Sequence, residues 1–320
     1  RAAASGGTAV IVIDEIQKVE DWSESVKREW DADTWNGLDI RVIVLGSSTL
    51  LVNSGLRESL AGRFERIRVM PWSFTEMSAA FGMDIDDMAV FGGYPGAAQY
   101  AHDRTRWMAY MLDSIIEPVI LKDVLQLKRI DSPALLRQLF MVGATLSARE
   151  VSFTKLLGMV QDRGNAGTIV HYLDLLEEAG LLSGLHKYRS SVMKKRSSPK
   201  LQVLANGIAT ACGSGWTRDM SPDVRGRCLE SLVGSHLRNA VEGTSVELGW
   251  WRDGNHEVDF VLHGPQTLVA IEVSTGSSHS RHGLEKFTSR YPDAGTMLVG
   301  PGGVPIEEFV SMPLDYVVRT

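Results

Sequence analysis

Asp14 and Glu15 close a run of aliphatic, mostly β-branched residues, Ala9-Val10-Ile11-Val12-Ile13. Such a run predicts a buried parallel strand that delivers its terminal carboxylate to the sheet edge. There Asp14 can hold the water shell of Mg²⁺ and Glu15 can polarise an attacking water, the Walker B arrangement of nucleotide hydrolases. An acidic pair at a strand end serves equally as a solvated cap, and spacing separates the two readings. About thirty residues on, a second apolar run, Arg41–Leu45, ends in Gly46-Ser47-Ser48, polar groups where a γ-phosphate would be sensed. Gly62-Arg63-Phe64 follows, placing a guanidinium where a subunit-bridging arginine finger would neutralise charge on a transferring phosphoryl group.

A second set of acids lies far downstream: Glu230 on a predicted helix, then Asp259 and Glu272 on predicted strands. A helical Glu ahead of Asp-(x)n-Glu-x-Lys is the PD-(D/E)xK pattern, in which two carboxylates hold a divalent metal and the lysine orients water. Here Glu272-Val273-Ser274 puts Ser at the lysine position, and Ser supplies no positive charge to a developing phosphorane. Lys286, on the next predicted helix, is either a migrated replacement or a solvated helix lysine. Without the lysine, the acids imply a divalent-metal site that binds weakly and does not cut DNA.

The third set is basic. Residues Leu135–Lys200 hold ten Lys/Arg against five Asp/Glu, a local +5 in a chain whose formal charge is −6. The predicted helix Ala166–Glu178 puts Ile169, Leu173 and Leu176 on one face and leaves Asn165, Thr168 and His171 outward. Lys187, Arg189, Lys194, Lys195 and Arg196 follow on a predicted hairpin. Helices with a basic hairpin are the parts of a winged helix-turn-helix, whose wing cations meet phosphates. Contact with a protein, or a solvated basic loop, is the competing reading. The eight histidines and the pair Cys212/Cys228 show no zinc-ligand spacing.

These residues need elements to hold them. With 320 residues, 44% hydrophobic and 22% charged, the chain has the composition of an ordinary globular protein of two or three domains. No apolar run is long enough to span a bilayer. Two cysteines make no disulfide framework, so a cytoplasmic, non-membrane protein is expected. Strands at Thr8–Ile13, Arg41–Leu45 and Glu65–Met70, with helices at Trp22–Asp31 and Arg57–Ala61 between them, are α/β grammar. Helices continue from Phe74, with a Gly92-Gly93-Tyr94-Pro95-Gly96 turn before a long one near Arg106–Val124. Helices at Ser132–Leu146, Ser152–Val160 and Ala166–Glu178 precede a hairpin of Leu181–Tyr188 and Leu201–Ala205. The last third is α/β again: helix Gly226–Ala240, strands Glu247–Trp251, Val258–Leu262 and Leu268–Val273, helix Leu284–Arg290 and strand Thr296–Val299. Buried apolar roles are expected for both cysteines, and packing in cores or interdomain seams for the tryptophans outside the motifs, such as Trp107.

IDEIQK, VLGSSTLL, SLAGRFERIRVMPWSFTE and GGYPGA occur here in that order, followed by Tyr172–Leu181, Trp250-Trp251-Arg252, Glu257–Val261 and Ile271-Glu272-Val273. This succession resembles a group of prokaryotic AAA-type ATPases with a winged-helix segment and a C-terminal restriction-nuclease-like domain. The resemblance implies an α/β multi-domain chain: a partial P-loop NTPase sheet over 1–78, a helical lid over 79–130, a winged helix over 131–205 and a nuclease-like domain over 206–320. It implies ATP and Mg²⁺ as cofactors, Asp14 as the Mg²⁺-side carboxylate, Glu15 as the activating one, and Ser47, with Ser48 as fallback, as sensor. Arg63 is the implied finger, with Arg57 second, and a homo-oligomer would form through it. No G-x-x-x-x-G-K-[ST] occurs in the 320 residues, so the chain resembles an N-terminally truncated member and is not expected to hydrolyse ATP alone. The implied function is coupling of nucleotide state to DNA or a protein partner. The alternatives are a non-catalytic nucleic-acid-binding module and a metal-dependent nuclease.

Overall fold

The computed structural model describes residues 7–46, 60–124, 130–160, 165–189, 192–194, 197–276 and 282–318, with backbone alone at 17, 121–123, 192 and 194. The chain divides into two compact units, residues 1–67 with 117–131 and residues 68–116 with 132–320.

In the first unit, β1 (Ala9–Ile13) and β2 (Ile40–Val44) pair in parallel, from Ala9↔Ile40 to Ile13↔Val44. Parallel neighbours need a crossover, and α1 (Trp22–Trp35) supplies it. The small core is Ile16, Trp22 and Leu60, with Ile13, Val26 and Val44 against it. The expected parallel pairing is present, but the expected burial is not. Val10, Ile11 and Val12 are 57%, 45% and 58% exposed, because among the described residues β1 has one strand neighbour and this small core to cover it. No strand forms over 65–70: the extended backbone there has no ladder partner among the described residues, and Ile67 and Val69 lie exposed. The helix expected at Arg57–Ala61 falls mostly outside the described residues. Trp35 is 90% exposed, against the packing role expected of the tryptophans.

The second unit begins with α2 (Phe74–Phe81), α3 (Ile85–Phe91) and α4 (Arg104–Tyr110). Ser73 and Glu76 form a reciprocal capping box on α2, and Asp84 caps α3. Of the long helix expected near Arg106–Val124, α4 continued by a π-helical turn at Met111–Ile116 belongs to this unit, and a further π-helical turn at Val119–Val124 belongs to the first. The glycine pair before α4 allows close approach: a Cβ on Gly93 would stand 2.0 Å from the Trp72 carbonyl oxygen, and Trp72 N donates to Gly93 O at 2.8 Å.

Next come α5 (Pro133–Thr145), β3 (Arg149–Glu150), α6 (Phe153–Met159) and α7 (Ala166–Glu178). Ser132, Ser152 and Asn165 cap the three helices, each accepting from the amide three residues on. As expected, Ile169, Leu173 and Leu176 of α7 are buried. β4 (Leu182–Arg189), β5 (Val192–Lys194) and β6 (Lys200–Val203) complete this section, in the antiparallel order β3-β6-β4 with β5 on β4.

After α8 (Asn206–Ala211), the chain runs through α9 (Pro222–Ala240), β7 (Glu247–Asp253), β8 (His256–Gly264), β9 (Thr267–Val273), α10 (His282–Arg290) and β10 (Gly295–Val299). β7, β8 and β9 are antiparallel neighbours, and β10 pairs in parallel with β9. β4 pairs in parallel with β7 at His186↔Gly249 and Lys187↔Trp250, joining everything into one eight-stranded sheet. A buried polar network locks α9 to this sheet: Gln202 Nε2 donates to Ser231 O and Ser235 Oγ, and Ser147 Oγ bonds Ser231 Oγ. Asn206 Nδ2 ties the C-terminal turn of α3 to α9 by donating to Ala89 O and Cys228 O. The molecule is mixed α/β, as the sequence implies.

Candidate functional site

At the C-terminal end of β1, Leu45 N donates to Ile13 O at 2.8 Å and Ile16 N donates to Leu45 O at 3.1 Å. These two bonds bracket Asp14-Glu15 and bring Gly46, the residue before Ser47, to the same edge. Ser47 and Ser48 lie outside the described residues, as does Arg57. Glu15 holds the left-handed backbone conformation at φ 54°, a cost of about 1 kcal/mol or more for a non-glycine residue. Its amide donates to Asp14 Oδ1 at 2.8 Å, and its carboxylate pairs with Lys18 at 2.8 Å. That bond holds the exposed Lys18 ammonium above its ordinary value. Arg63 stands against α1, its Nε 3.5 Å from Asp31 and its guanidinium 5.4 Å from the Trp30 ring centroid.

The acids of the C-terminal half converge. Glu230 comes from the middle of α9, Glu257 and Asp259 from β8, and Glu272 from the end of β9. Asp259 Oδ2 accepts from the Val273 amide at 2.9 Å, which fixes its carboxylate beside Glu272. The positive charge comes from a residue that sequence reasoning left in the basic loop. Lys200, the first residue of β6, is 2% exposed at its side chain. Its ammonium pairs with Glu230, lies 3.3 Å from Asp259 Oδ1 and 3.9 Å from Glu257 Oε1, and donates to Asp259 O at 3.2 Å. Arg252, on β7, pairs with both Glu150 and Glu257.

Four carboxylates therefore share two cations, and Glu272 stands beside them without an ion pair to either. Burial, then Asp259, pushes the Glu272 carboxyl up to about 7, and its Oε2 is buried without a hydrogen-bond partner among the described residues. Burial and Asp259 also push Glu230 upward, while three carboxylates hold Lys200 protonated. Among the described residues no group of three His, Cys, Asp or Glu side chains is arranged to hold a metal ion. Lys200 is sealed from solvent and occupied by carboxylates. Ser274 is not replaced by Lys286, which is exposed on α10.

A lysine opening an apolar run, Lys200-Leu201-Gln202-Val203-Leu204, was the available signal, since a buried lysine requires acidic partners. Of the expected wing residues, Lys194 pairs with Lys187 in the β4–β5 register. The Lys194 side chain, and all of Lys195 and Arg196, lie outside the described residues. Cys228 is buried and Cys212 half-buried, and neither is in a disulfide among the described residues. No described helix is long and apolar enough to cross a membrane.

Three family models match this chain: an AAA domain over residues 1–78, a domain of unknown function (DUF8612) over 82–219 and a domain of unknown function (DUF4143) over 225–314. The uncharacterized protein MJ1544 of Methanocaldococcus jannaschii is 24% identical over 307 residues, covering 89% of this chain and 66% of its own length. An uncharacterized protein of Haemophilus influenzae is 24% identical over 293 residues, covering 85% and 67%. The chain thus spans about two thirds of the length of these relatives. A solved structure, protein VC1899 from Vibrio cholerae, aligns with 91% of this chain and 88% of its own at 13% identity, with a TM-score of 0.18. The chain carries an AAA domain at its N-terminus and a DUF4143 domain at its C-terminus, and its relatives named here are themselves uncharacterized.

Proposed function

We propose that this chain is part of an AAA-type ATP-binding protein that couples nucleotide state to DNA or a protein partner. The observation that carries the reading is the parallel β1–β2 pair ending in Asp14-Glu15, within residues that match an AAA domain. When bound, Mg²⁺-ATP supplies the phosphoanhydride and the metal's water shell. Asp14, exposed at the strand end, suits holding that shell, and Glu15 suits taking a proton from the attacking water. Ser47 or Ser48 would sense the terminal phosphate, and Arg63 would leave Asp31 to act as a finger toward a neighbouring copy.

The αβααββ order of α5-β3-α6-α7-β4-β6 supports a winged helix, with Lys194, Lys195 and Arg196 as wing cations. The αβββαβ order of α9-β7-β8-β9-α10-β10 supports a nuclease-like core. Lys200 favours a non-cutting version of that core: it sits among Glu230, Glu257 and Asp259, where an open metal position would be needed for cleavage. A non-catalytic nucleic-acid-binding module is therefore the second reading for this half.

The 320-residue chain has no phosphate-cradling P-loop. It should show no ATP turnover, and an in-frame P-loop segment ahead of Thr8 should restore turnover that Glu15→Gln removes. Turnover by the 320 residues that Glu15→Gln abolishes would overturn this. For the DNA half, alanine at Lys194, Lys195 and Arg196 should weaken duplex binding and flatten its salt slope by about one unit for each phosphate no longer neutralised. Absence of duplex binding even at low salt would leave a protein as the coupled partner.

A further inference from the structure

The β4–β7 ladder ends at Lys187↔Trp250. Beyond that point the two strands part, β4 turning to pair with β5 and β7 passing a register shift between Gly249 and Trp251. A pocket of about 160 Å³ lies in this split, lined by Lys187, Arg189, Arg252, Asp253 and Arg290 over Tyr188 and Trp251. Both aromatic residues are 2% exposed, so the floor is rigid and apolar and the rim is cationic.

Four cations line this pocket against one carboxylate. Asp253 is already engaged by Arg290 at 3.3 Å, and Arg252 by Glu150 and Glu257. Among the described residues Lys187 and Arg189 have no carboxylate partner. The Lys187 ammonium and the Arg252 guanidinium each border the Trp250 ring, at 5.4 and 5.7 Å from its centroid. The rim therefore offers the Arg189 guanidinium, a fork suited to a tetrahedral oxyanion, together with the Lys187 ammonium.

We infer that this pocket binds a phosphate group, and that a nucleic-acid phosphodiester is its source. The source rests on the reading that this half of the chain meets DNA; the pocket's phosphate chemistry does not. In the β4–β5 register Lys194 stands opposite Lys187, and this placement of a second lysine position on the proposed wing is what favours a polymer over a free ion.

Inorganic phosphate titrated calorimetrically into the 320-residue chain at low salt should bind with one site per chain. Lys187→Ala with Arg189→Ala should lower that affinity at least fivefold and lower the melting temperature only slightly, because neither side chain is ion-paired among the described residues and the Lys187–Trp250 ring contact is a small loss. Phosphate should also compete with a short DNA duplex, and the double variant should reduce the duplex salt slope by about one or two units. Phosphate binding that the variants abolish, with no duplex binding, would keep the pocket, overturn the phosphodiester source and refute the DNA reading. No phosphate binding, or binding that the variants leave unchanged, would overturn the pocket itself.

Discussion

Replacing Lys200 with Met keeps the aliphatic stem and removes the ammonium that sits among Glu230, Glu257 and Asp259. Breaking a buried ion pair by removing one partner typically costs about 3–5 kcal/mol, because the remaining charges stay buried and uncompensated. In a unit of this size about 1 kcal/mol moves the melting temperature by about 2–4 °C, so Lys200→Met should melt about 10 °C below the wild type at pH 8. The loss has a pH signature. Uncompensated carboxylates relieve their repulsion by taking up protons, and Glu230 is already pushed upward by burial and Asp259, so the loss should shrink toward pH 5.5. A second variant, Glu230→Gln in the Lys200→Met background, should recover a large part of the stability, since it removes an orphaned charge that burial already disfavours. Thermal and urea denaturation across pH 5.5–8 reads all three effects. A Lys200→Met variant within about 1 kcal/mol of wild type at pH 8, or one whose loss is independent of pH, would refute the reasoning.

Glu272, whose carboxyl sits near 7 in the fold against an ordinary 4.5, binds more protons folded than unfolded between those values. Stability should therefore fall as pH rises through about 4.5–7, by about 1 kcal/mol once the half-exposed site is discounted for screening, and Glu272→Gln should remove that component from the denaturation profile. Gly93→Ala drives a methyl to 2.0 Å from the Trp72 carbonyl oxygen and should destabilise the second unit by about 2 kcal/mol, read as a lowered urea midpoint. Burial raises the Cys228 thiol to about 12, so a disulfide-exchange reagent should label Cys212 alone in the native protein and both cysteines in denaturant; native labelling of Cys228 would contradict the packing.

Most of the secondary structure was legible because it rests on local chemistry. α7 occupies the expected Ala166–Glu178, since Asn165 caps one end and the 3.6-residue period of Ile169, Leu173 and Leu176 marks the buried face. Asp259 and Glu272 were legible as a pair because both lie on strands with apolar neighbours around them, although Asp259, expected to end its strand, is the fourth of nine residues in β8. The errors came from tertiary context. The β-branched run of β1 carries no information about how many neighbours will cover it, and residues 65–70 were read as a strand from composition without a partner to pair with. Lys200 was missed because a lysine next to a Ser/Lys/Arg loop resembles loop, and what buries it is three carboxylates that lie 30–59 residues away in sequence. Long-range electrostatic complementarity of this kind leaves no periodic trace.

ATP hydrolysis by the chain carrying an in-frame P-loop segment, with Glu15 intact or replaced by Gln, bears most directly on the proposed function. Asp14 and Glu15 end a strand that has the parallel partner an AAA-type core requires. Turnover that Glu15→Gln abolishes, with ATP still bound by the variant, is the expected result. Unchanged turnover in Glu15→Gln, or no nucleotide binding by either protein, would contradict the assignment of this edge to nucleotide chemistry.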